Sequence, residues 1–545
     1  MNAFQYFVAI SPVLLVLVLL VVFRIPAVKS MPLSLFIHAG LAFLIWQVPL
    51  VQIAAASLEG LIIAASVLWI LFGAIFLLNI LQTSGAIDTI SHLFTSISPD
   101  RRVQVILIAW LFQAFLEGGS GFGSPAAICA PLLVGLGFPP MAAVVLSLIS
   151  NSFPVIYGSV GTTIFVGLGQ GLLVGGDLAP IVANYLGNTA VIDYLQQVSI
   201  KSALLMWLPA TLIPLLLSVM LTRFWGENKS WKEGLEIWKF ALLTGFTYST
   251  FSLIIAIILG PEFPTIIGSM LTMFVMVTLA KKGILLPKKP WFFHASAPTQ
   301  LITMKQPLKI PTWKSLTPYL LVTFILLLTR LRFLPFMEWL NIPQIGWSNI
   351  LGTEISTQFA PLYSPGAIFT FTAIISLFLL KQGRKELLEA LKISSTSLIT
   401  SLITLSTAIP MVRIFINSGI NGVQLGSMPV ELASSMATTF GSIWPLVVPF
   451  VGSLGAFISG SATISNLMFS LFQFGVALEN QLDPALINAL QTVGATVGKM
   501  ICIVSVVAAS SVVNLQGNEG RIIRYTLIPS LLTCLLIGLI GMLLF

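Results

Sequence analysis

Residues 115–125 read Phe-Leu-Glu-Gly-Gly-Ser-Gly-Phe-Gly-Ser-Pro, and this polar, glycine-rich segment lies within a long apolar stretch of the chain. Glycine and proline at this density are typical of a helix that is interrupted, because glycine adopts many backbone conformations and proline removes a hydrogen-bond donor. The segment therefore predicts a broken helix, and the rest of the sequence decides the environment in which the break lies.

The composition of the chain is that of a membrane protein. Of 545 residues, 57% are hydrophobic and only 8% are charged, whereas a soluble domain carries about 25% charged residues. A helix that spans a bilayer needs roughly 20 mostly apolar residues, and it satisfies its backbone groups internally. We predict an all-α polytopic membrane protein with about 12 to 14 transmembrane helices.

A second interruption occurs near the other end of the chain. Residues 457–466 read Phe-Ile-Ser-Gly-Ser-Ala-Thr-Ile-Ser-Asn, and each interruption is followed by a further segment rich in small residues, at 151–163 and at 492–499. Paired breaks in two halves of a chain indicate the central site of a transporter with inverted repeats. The alternative is that these small residues only allow helices to pack closely.

This pattern predicts two halves joined by a connector. The N-terminal half covers residues 1–280, with a broken or re-entrant hairpin near 115–165, and the C-terminal half covers residues 316–545, with its hairpin near 457–500. Residues 281–315 are rich in lysine and proline and lack apolar periodicity, so we predict a cytoplasmic connector.

Lysine and arginine cluster in short segments between the apolar runs, and such loops remain in the cytoplasm. The resulting topology starts with an uncleaved span, Phe4–Phe23, and ends with Leu527–Leu544, so that both termini lie outside the cell. It places Glu59 in an outer loop.

The basic residues do not alternate with aromatic residues on a polar domain, which argues against nucleic acid as a partner. We predict a multi-pass protein of a bacterial-type cytoplasmic, or inner, membrane, with lipid around it.

Three ionisable residues fall within predicted spans, where a charge costs at least ~2.5 kcal/mol. Glu117 opens the first interruption, and it either exchanges protons, binds a cation or caps backbone amides. Lys499 lies in the second broken region, where it either pairs with a carboxylate or extends to the interface. Arg413 either contacts a carboxylate with two hydrogen bonds or lies near the outer end of its span.

The first interruption resembles a family signature. Residues 115–128, continued by Leu-Leu-Val-Gly-Leu-Gly-Phe at 132–138, are similar to the bacterial L-lactate permease pattern Phe-Leu-Glu-Gly-Ala-Ala-Gly-Phe-Gly-Ala-Pro-Val-Ala-Ile, which precedes the same seven residues. Residues 98–102, 260–264 and 497–501 are further matches, and the length and span pattern agree over nearly the whole chain. It implies a secondary transporter that takes up lactate, and in several members glycolate, together with protons.

The second interruption departs from this pattern. Where the family reads Gly-Ser-Asp-Thr-Ser-Ser-Asn, this chain has Ala462 in place of the aspartate and Ile464 in place of a serine. After Gly-Lys-Met-Ile the family continues Ser-Pro-Gln, but here Cys502 follows. If the missing aspartate carries the coupling proton in relatives, this protein uses Glu117, another ion or no coupling.

We therefore expect a carrier of L-lactate or a related 2-hydroxy monocarboxylate, working by alternating access, with Glu117 as the coupling residue for a proton or sodium ion. The residues expected to bind the substrate are Ser120, Gly121, Gly123, Ser124, Asn151, Ser461, Thr463, Asn466, Lys499 and Arg413. The alternatives are a carrier of another organic anion, coupled to sodium or uncoupled, and a membrane sensor or binding subunit. No catalytic grouping, metal site or cofactor motif is recognisable in the sequence, so an enzyme is not expected.

Overall fold

The computed structural model describes residues 1–19, 23, 25–87, 89, 97–119, 124–293, 310–330, 335–515 and 518–544. Nearly all of the regular structure in these ranges is helical, and the strands form only two short hairpins. The predicted all-α polytopic class is confirmed.

The described residues of the N-terminal half form thirteen α-helices that end before the predicted connector or at its first residue. They are α1 (Ala3–Leu17), α2 (Ala27–Leu44), α3 (Leu50–Thr83), α4 (Arg101–Val105), α5 (Gln113–Gly119), α6 (Ser124–Gly135), α7 (Pro140–Asn151), α8 (Gly158–Thr162), α9 (Pro180–Leu186), α10 (Val191–Trp225), α11 (Trp231–Leu235), α12 (Trp238–Leu259) and α13 (Pro264–Lys281). Two π-helical segments, Ile106–Phe112 and Thr163–Gly169, and a 3-10 turn, Pro154–Tyr157, lie among them.

The remaining helices of the described ranges begin at Thr312, three residues before the predicted end of the connector. They are α14 (Thr312–Arg330), α15 (Phe336–Asn341), α16 (Pro365–Leu379), α17 (Arg384–Ile416), α18 (Met428–Phe440), α19 (Trp444–Ser459), α20 (Ala462–Glu479), α21 (Pro484–Val497), α22 (Ile503–Ser511) and α23 (Glu519–Leu543), with 3-10 turns at Ile350–Gly352, Gly441–Ile443 and Gly498–Met500. Strands β1 (Leu173–Val174) and β2 (Asp177–Leu178) pair antiparallel, as do β3 (Ile345–Trp347) and β4 (Thr357–Phe359).

Within the described ranges, seven helical segments are long and apolar enough to cross a membrane, and the number rises to nine if each of two bent pairs counts as one span. Four shorter apolar helices, within α1, α2, α6 and α16, accompany them. The predicted number of 12 to 14 spans, which assumes that shorter segments also cross, stays a prediction.

One part of the predicted topology was wrong. Glu59 does not lie in a loop, because α3 is one uninterrupted helix of 34 residues that contains it. At 1.5 Å per residue this helix is about 51 Å long, well beyond a hydrocarbon core of about 30 Å. The side chain of Glu59 is 1% exposed, and it is tolerated there because a basic residue pairs with it, as described below.

The two interruptions share an order of elements. In the first, α5 ends before the break, α6 follows it, and α7 leads into the 3-10 turn Pro154–Tyr157. In the second, α19 ends before the break, α20 follows it, and α21 leads into the 3-10 turn Gly498–Met500. The segments Pro140–Asn151 and Pro154–Gly169 are bent by 53° relative to each other. The common order is what a repeat predicts, and the inverted relation of the halves stays a prediction.

The two interrupted regions pack directly against each other. A Cβ atom added to Gly167 would lie 2.8 Å from the carbonyl oxygen of Thr463, a distance that real Cβ atoms do not reach. Glycine at position 167 therefore allows the π-helical segment Thr163–Gly169 to contact the backbone of α20. This contact brings the two halves of the chain together at the interruptions.

The predicted connector, residues 281–315, includes residues 294–309, which lie outside the described ranges. The backbone N–H of Arg101 donates to the carbonyl of Trp291 at 3.1 Å, and Trp291 Nε1 donates to Glu233 at 2.6 Å. Arg102, which is fully buried, pairs with Asp100 and Glu236. The basic segments around residues 101, 233 and 291 thus lie together at one end of the molecule, and the domain boundaries themselves stay a prediction.

Candidate functional site

A small cavity of about 50 Å³ lies where the two interruptions meet. The first interruption contributes Glu117 and the loop from Gly158 to Thr163, and the second contributes residues 460–463 and Lys499. The cavity thus brings together an acid from the first interruption and a base from the second.

Glu117 lies in the last turn of α5 and is 1% exposed. Its Oε1 packs against the Cα of Gly158, where an added Cβ would come within 2.6 Å. Its Oε2 has no hydrogen-bond partner among the described residues, and the Asn151 side chain lies within hydrogen-bonding reach of the carboxyl group. A carboxylate in so dry a position requires a proton or a cation to offset its lost hydration.

Lys499 reaches the same cavity from the 3-10 turn Gly498–Met500 and is 5% exposed. Its Nζ donates to the carbonyl oxygen of Gly460 at 3.1 Å. Gly460 ends α19 with a left-handed backbone, φ +79°, which is the usual way for glycine to terminate a helix. The buried ammonium therefore lies across the break between α19 and α20, close enough to Glu117 to interact with it electrostatically.

The N-terminus of α20 also borders the cavity. Ser461 is the N-cap residue, and its side chain accepts a hydrogen bond from the backbone N–H of Ile464 at 3.4 Å. Ala462 and Thr463, the first residues of this helix, line the cavity. The positive end of an 18-residue helix and the ammonium of Lys499 together make this side of the cavity favourable for an anion.

The segment Gly158–Thr162, given above as α8, also lines the cavity, and its backbone is that of a loop. Ser159, Val160 and Gly161 are consecutive left-handed residues, with φ of +44°, +59° and +71°. This conformation costs of order 1–3 kcal/mol for a residue other than glycine, and a β-branched valine adopts it rarely. Gly161 packs against the carbonyl of Pro261, which leaves no room for a Cβ. Strain of this kind is concentrated at functional sites, and here it shapes one wall of the cavity.

A larger vestibule of about 590 Å³ adjoins the cavity, and Thr162 lines both spaces. Its walls include Gln170, Glu262 and Tyr363. It is formed by the turn at residues 260–262 and by residues 358–365, which the positive-inside pattern assigns to the outer face. A solute in this vestibule would be separated from the cavity by the strained loop that contains Thr162.

Asn466 lies one helical turn beyond Thr463 and does not line the cavity. Its Nδ2 donates to the carbonyl of Thr163 and to the hydroxyl of Thr492, both at 3.1 Å, and its Oδ1 has no hydrogen-bond partner in the described part of the chain. Asn466 therefore ties the two halves together just behind the cavity, and a role in binding substrate stays a prediction.

Arg413 lies away from the cavity. Its fully buried guanidinium pairs with Glu59 and donates to the carbonyl of Gln170 at 3.0 Å. Asn417 donates to the second oxygen of Glu59 at 2.7 Å and accepts from the backbone N–H of Gly175 at 2.8 Å. Because Glu59 occupies the guanidinium and Arg413 does not line the cavity, its position does not support the predicted contact with a substrate carboxylate.

The remaining predicted residues belong to the first break. Ser120, Gly121 and Gly123 lie outside the described residues, as does the side chain of Ser124, whose backbone begins α6. Asn151 ends α7, is 2% exposed and faces Glu117.

Two polar residues next to Glu117 are absent from the predicted set. Gln113 Nε2 donates to the carbonyl of Ser147 at 2.6 Å, while Gln113 Oε1 and Ser147 Oγ are buried without partners among the described residues. Gln113 and Glu117 are four residues apart on one helix, and Ser147 and Asn151 are four apart on its neighbour. This i, i+4 spacing of polar residues in apolar helices is visible in the sequence and could have identified Gln113 and Ser147.

Comparisons with known proteins identify the family of this chain. The sequence pattern of the L-lactate permease family matches residues 5–545. A Haemophilus influenzae protein provisionally named an L-lactate permease is 29% identical over 97% of this chain and 96% of its own length. The glycolate permease GlcA of Escherichia coli is 28% identical over 98% and 95%. The L-lactate permease of Bacillus subtilis is 27% identical over 92% and 88%.

Among solved structures, the YdaH transporter of Alcanivorax borkumensis, described as having an unusual topology, aligns with 87% of this chain and 84% of its own, at a TM-score of 0.36 and 16% identity. The family assignment rests on the sequence match, which extends over almost the whole chain and includes both interruptions. The chain belongs to the L-lactate permease family.

Proposed function

We propose that this protein is a secondary transporter of L-lactate or a related 2-hydroxy monocarboxylate such as glycolate, and that a proton moves with the substrate. The observation that carries the proposal is the cavity shared by Glu117 and Lys499, in a chain whose relatives are named L-lactate and glycolate permeases. The protein works in a bacterial cytoplasmic membrane, with the vestibule and both termini on the outer face.

The anion binds at the second interruption. Its carboxylate accepts hydrogen bonds from Lys499 Nζ, which has donors besides the one that binds the carbonyl of Gly460, and from the first backbone N–H groups of α20. The hydroxyls of Ser461 and Thr463, which line the cavity, recognise the 2-hydroxyl group. A hydrogen bond to a charged group contributes about 1.5–3 kcal/mol, enough to select a carboxylate over a neutral alcohol.

Glu117 carries the coupled proton. Its burial and the unsatisfied Oε2 favour a protonated carboxyl when the substrate site is closed. A carboxyl that releases its proton on one side and regains it on the other links the movement of the anion to the proton gradient. Gln113, on α5 with Glu117, and Ser147 and Asn151, on the neighbouring α7, continue this polar region and offer a route for the proton.

The replacement of an acidic residue in the second interruption supports the choice of Glu117. Ala462 lines the cavity at the position where the family pattern has an aspartate, and Ile464 is also buried. Among the described residues that line the cavity, Glu117 is then the only one with a carboxylate. This lining supports Glu117 as the coupling residue.

The sizes of the two spaces support alternating access as the mechanism. The cavity, at about 50 Å³, holds little more than water, so a bound lactate requires its walls to separate. The vestibule of about 590 Å³ lies on the other side of Thr162. The strained loop at residues 159–161 acts as the outer gate between them.

Uptake by proteoliposomes tests the proposal. Purified protein should accumulate radiolabelled L-lactate or glycolate when the lumen is made alkaline, and a protonophore should abolish the accumulation. Accumulation that follows a sodium gradient instead would identify the sodium-coupled carrier of the alternative reading. Saturable binding without any flux would identify a binding subunit or sensor, and absence of both binding and flux for these acids would reject the assigned substrate.

A further inference from the structure

A long groove of about 800 Å³ runs along the outside of the helix bundle between α10 and α23. Its walls are apolar over most of their length, with side chains such as Leu212, Met220, Ile528 and Leu532. The groove shares no lining residue with the cavity of Glu117 and Lys499, so it is a separate feature of the molecule.

The groove has the length of a lipid chain. It extends from Pro209 to Phe224 on α10 and from Arg521 to Leu536 on α23. At 1.5 Å per residue, each stretch measures about 22 Å. One leaflet contributes about half of a hydrocarbon core of roughly 30 Å, so the groove passes through a complete leaflet.

One end of the groove is basic and aromatic. Arg521 and Arg524 lie three residues apart on the same face of α23, next to Tyr525, and Trp231 forms the opposite wall. The guanidinium of Arg223 lies 5.6 Å above the Trp231 ring, and the rings of Phe224 and Tyr525 are 5.3 Å apart. The described residues that line the groove include no carboxylate that would neutralise these arginines.

We propose that this groove binds an anionic phospholipid, whose acyl chain lies between α10 and α23 and whose phosphate contacts Arg521 and Arg524. Guanidinium groups bind phosphate oxygens through paired hydrogen bonds. Tryptophan and tyrosine are enriched at the level of lipid headgroups, which is where Trp231 and Tyr525 place the end of the groove. The lysine- and arginine-rich end of the protein faces the leaflet that carries anionic lipid.

Native mass spectrometry of the purified protein tests the headgroup. The protein is incubated in detergent with phosphatidylglycerol or phosphatidylcholine of the same acyl composition, and bound lipid is counted. The wild type should retain phosphatidylglycerol in preference, and the double variant R521Q/R524Q should bind it about tenfold or more weakly. The control R384Q/K385Q removes the same charge at the start of α17, outside the groove, and should bind as the wild type does.

A second pair of variants tests the groove while leaving its charges unchanged. Leu212→Trp fills the groove, whereas Leu208→Trp changes a side chain of the same 41% exposure on the same helix that does not line it. Loss of phosphatidylglycerol in the first variant alone supports the proposal. Equal lipid retention in all variants would overturn it, as would a dimer that Leu212→Trp dissociates, because a second copy of the chain would then occupy the groove.

Discussion

Lys499 and Gly460 are joined by a hydrogen bond of 3.1 Å from the ammonium to the backbone carbonyl that ends α19. This hydrogen bond uses one of the three donors of the ammonium group and leaves two for other acceptors. The side chain is therefore held in the position that the proposed contact with a substrate carboxylate requires.

The variant Lys499→Met tests this role in anion binding. We expect the dissociation constant for lactate to rise about 10- to 100-fold, because a hydrogen bond to a charged group contributes about 1.5–3 kcal/mol. Isothermal titration of the purified protein measures it. Lys201→Met, which removes a half-exposed lysine paired with Asp483 at 2.8 Å, is the matched control and should leave binding unchanged. Wild-type affinity in Lys499→Met would assign the residue a purely structural role.

The variant Glu117→Gln tests proton coupling. We expect it to eliminate uphill accumulation of lactate while lactate–lactate exchange continues, because glutamine preserves the shape of the side chain and cannot exchange a proton. Proteoliposome uptake under a pH gradient and counterflow measure the two activities. Glu338→Gln, on the exposed helix α15, should retain both. Full uphill transport in Glu117→Gln would remove Glu117 from the coupling mechanism.

Gly158→Ala tests the packing of the Glu117 carboxyl. The backbone of Gly158 has φ −63°, which alanine adopts readily, so the substitution adds only a methyl group. That methyl group would lie 2.6 Å from Glu117 Oε1 and would displace the carboxyl. We expect at least a tenfold loss of uphill lactate uptake. Gly135→Ala is the control, because no neighbour lies within 4 Å of its added Cβ, and similar losses in both variants would contradict the assigned contact.

We expect the buried ion pair of Glu59 and Arg413 to stabilise the folded protein. Removing one partner of a buried ion pair costs about 3–5 kcal/mol, because the other charge is left without compensation. Arg413→Met and Glu59→Gln should each lower the melting temperature in detergent, and the double variant should lose less than the sum of the two. Lactate affinity of the protein that remains folded should be unchanged. A specific loss of affinity in Arg413→Met would restore its predicted contact with substrate.

Cysteine labelling tests the side of the membrane on which the vestibule opens. Gln358 lines the vestibule and is exposed, so Gln358→Cys should react with a membrane-impermeant maleimide added to intact cells. Arg384→Cys, at the exposed start of α17, should react only after the membrane is permeabilised. The described native cysteines are buried and give little background. The reverse pattern of labelling would invert the topology.

The sequence contained enough information for the fold class and for the meeting of Glu117 with Lys499. Both residues lie in glycine-rich interruptions of apolar helices, and such interruptions are stable in a membrane only where protein covers them. The same argument places Ser461 and Thr463 beside the cavity, because they lie at the start of the helix after the second break.

The partner of Arg413 could not be predicted in the same way. Glu59 lies 354 positions earlier in the chain, and only the packing of α3 against α17 brings the two side chains together. The sequence pattern placed Glu59 in a loop because a charge usually marks the end of a span. A paired charge inside a span leaves no local signal that distinguishes it from a loop residue.

The glycine at position 167 has a consequence for how the carrier moves. Because Gly167 brings the backbone of the segment Thr163–Gly169 against Thr463, these two pieces cannot slide past each other without a steric clash. We therefore expect them to move as one block shared by both halves of the protein. In the proposed transport cycle, opening of the cavity would then fall to residues 159–161 and to the elements that carry Glu117 and Lys499.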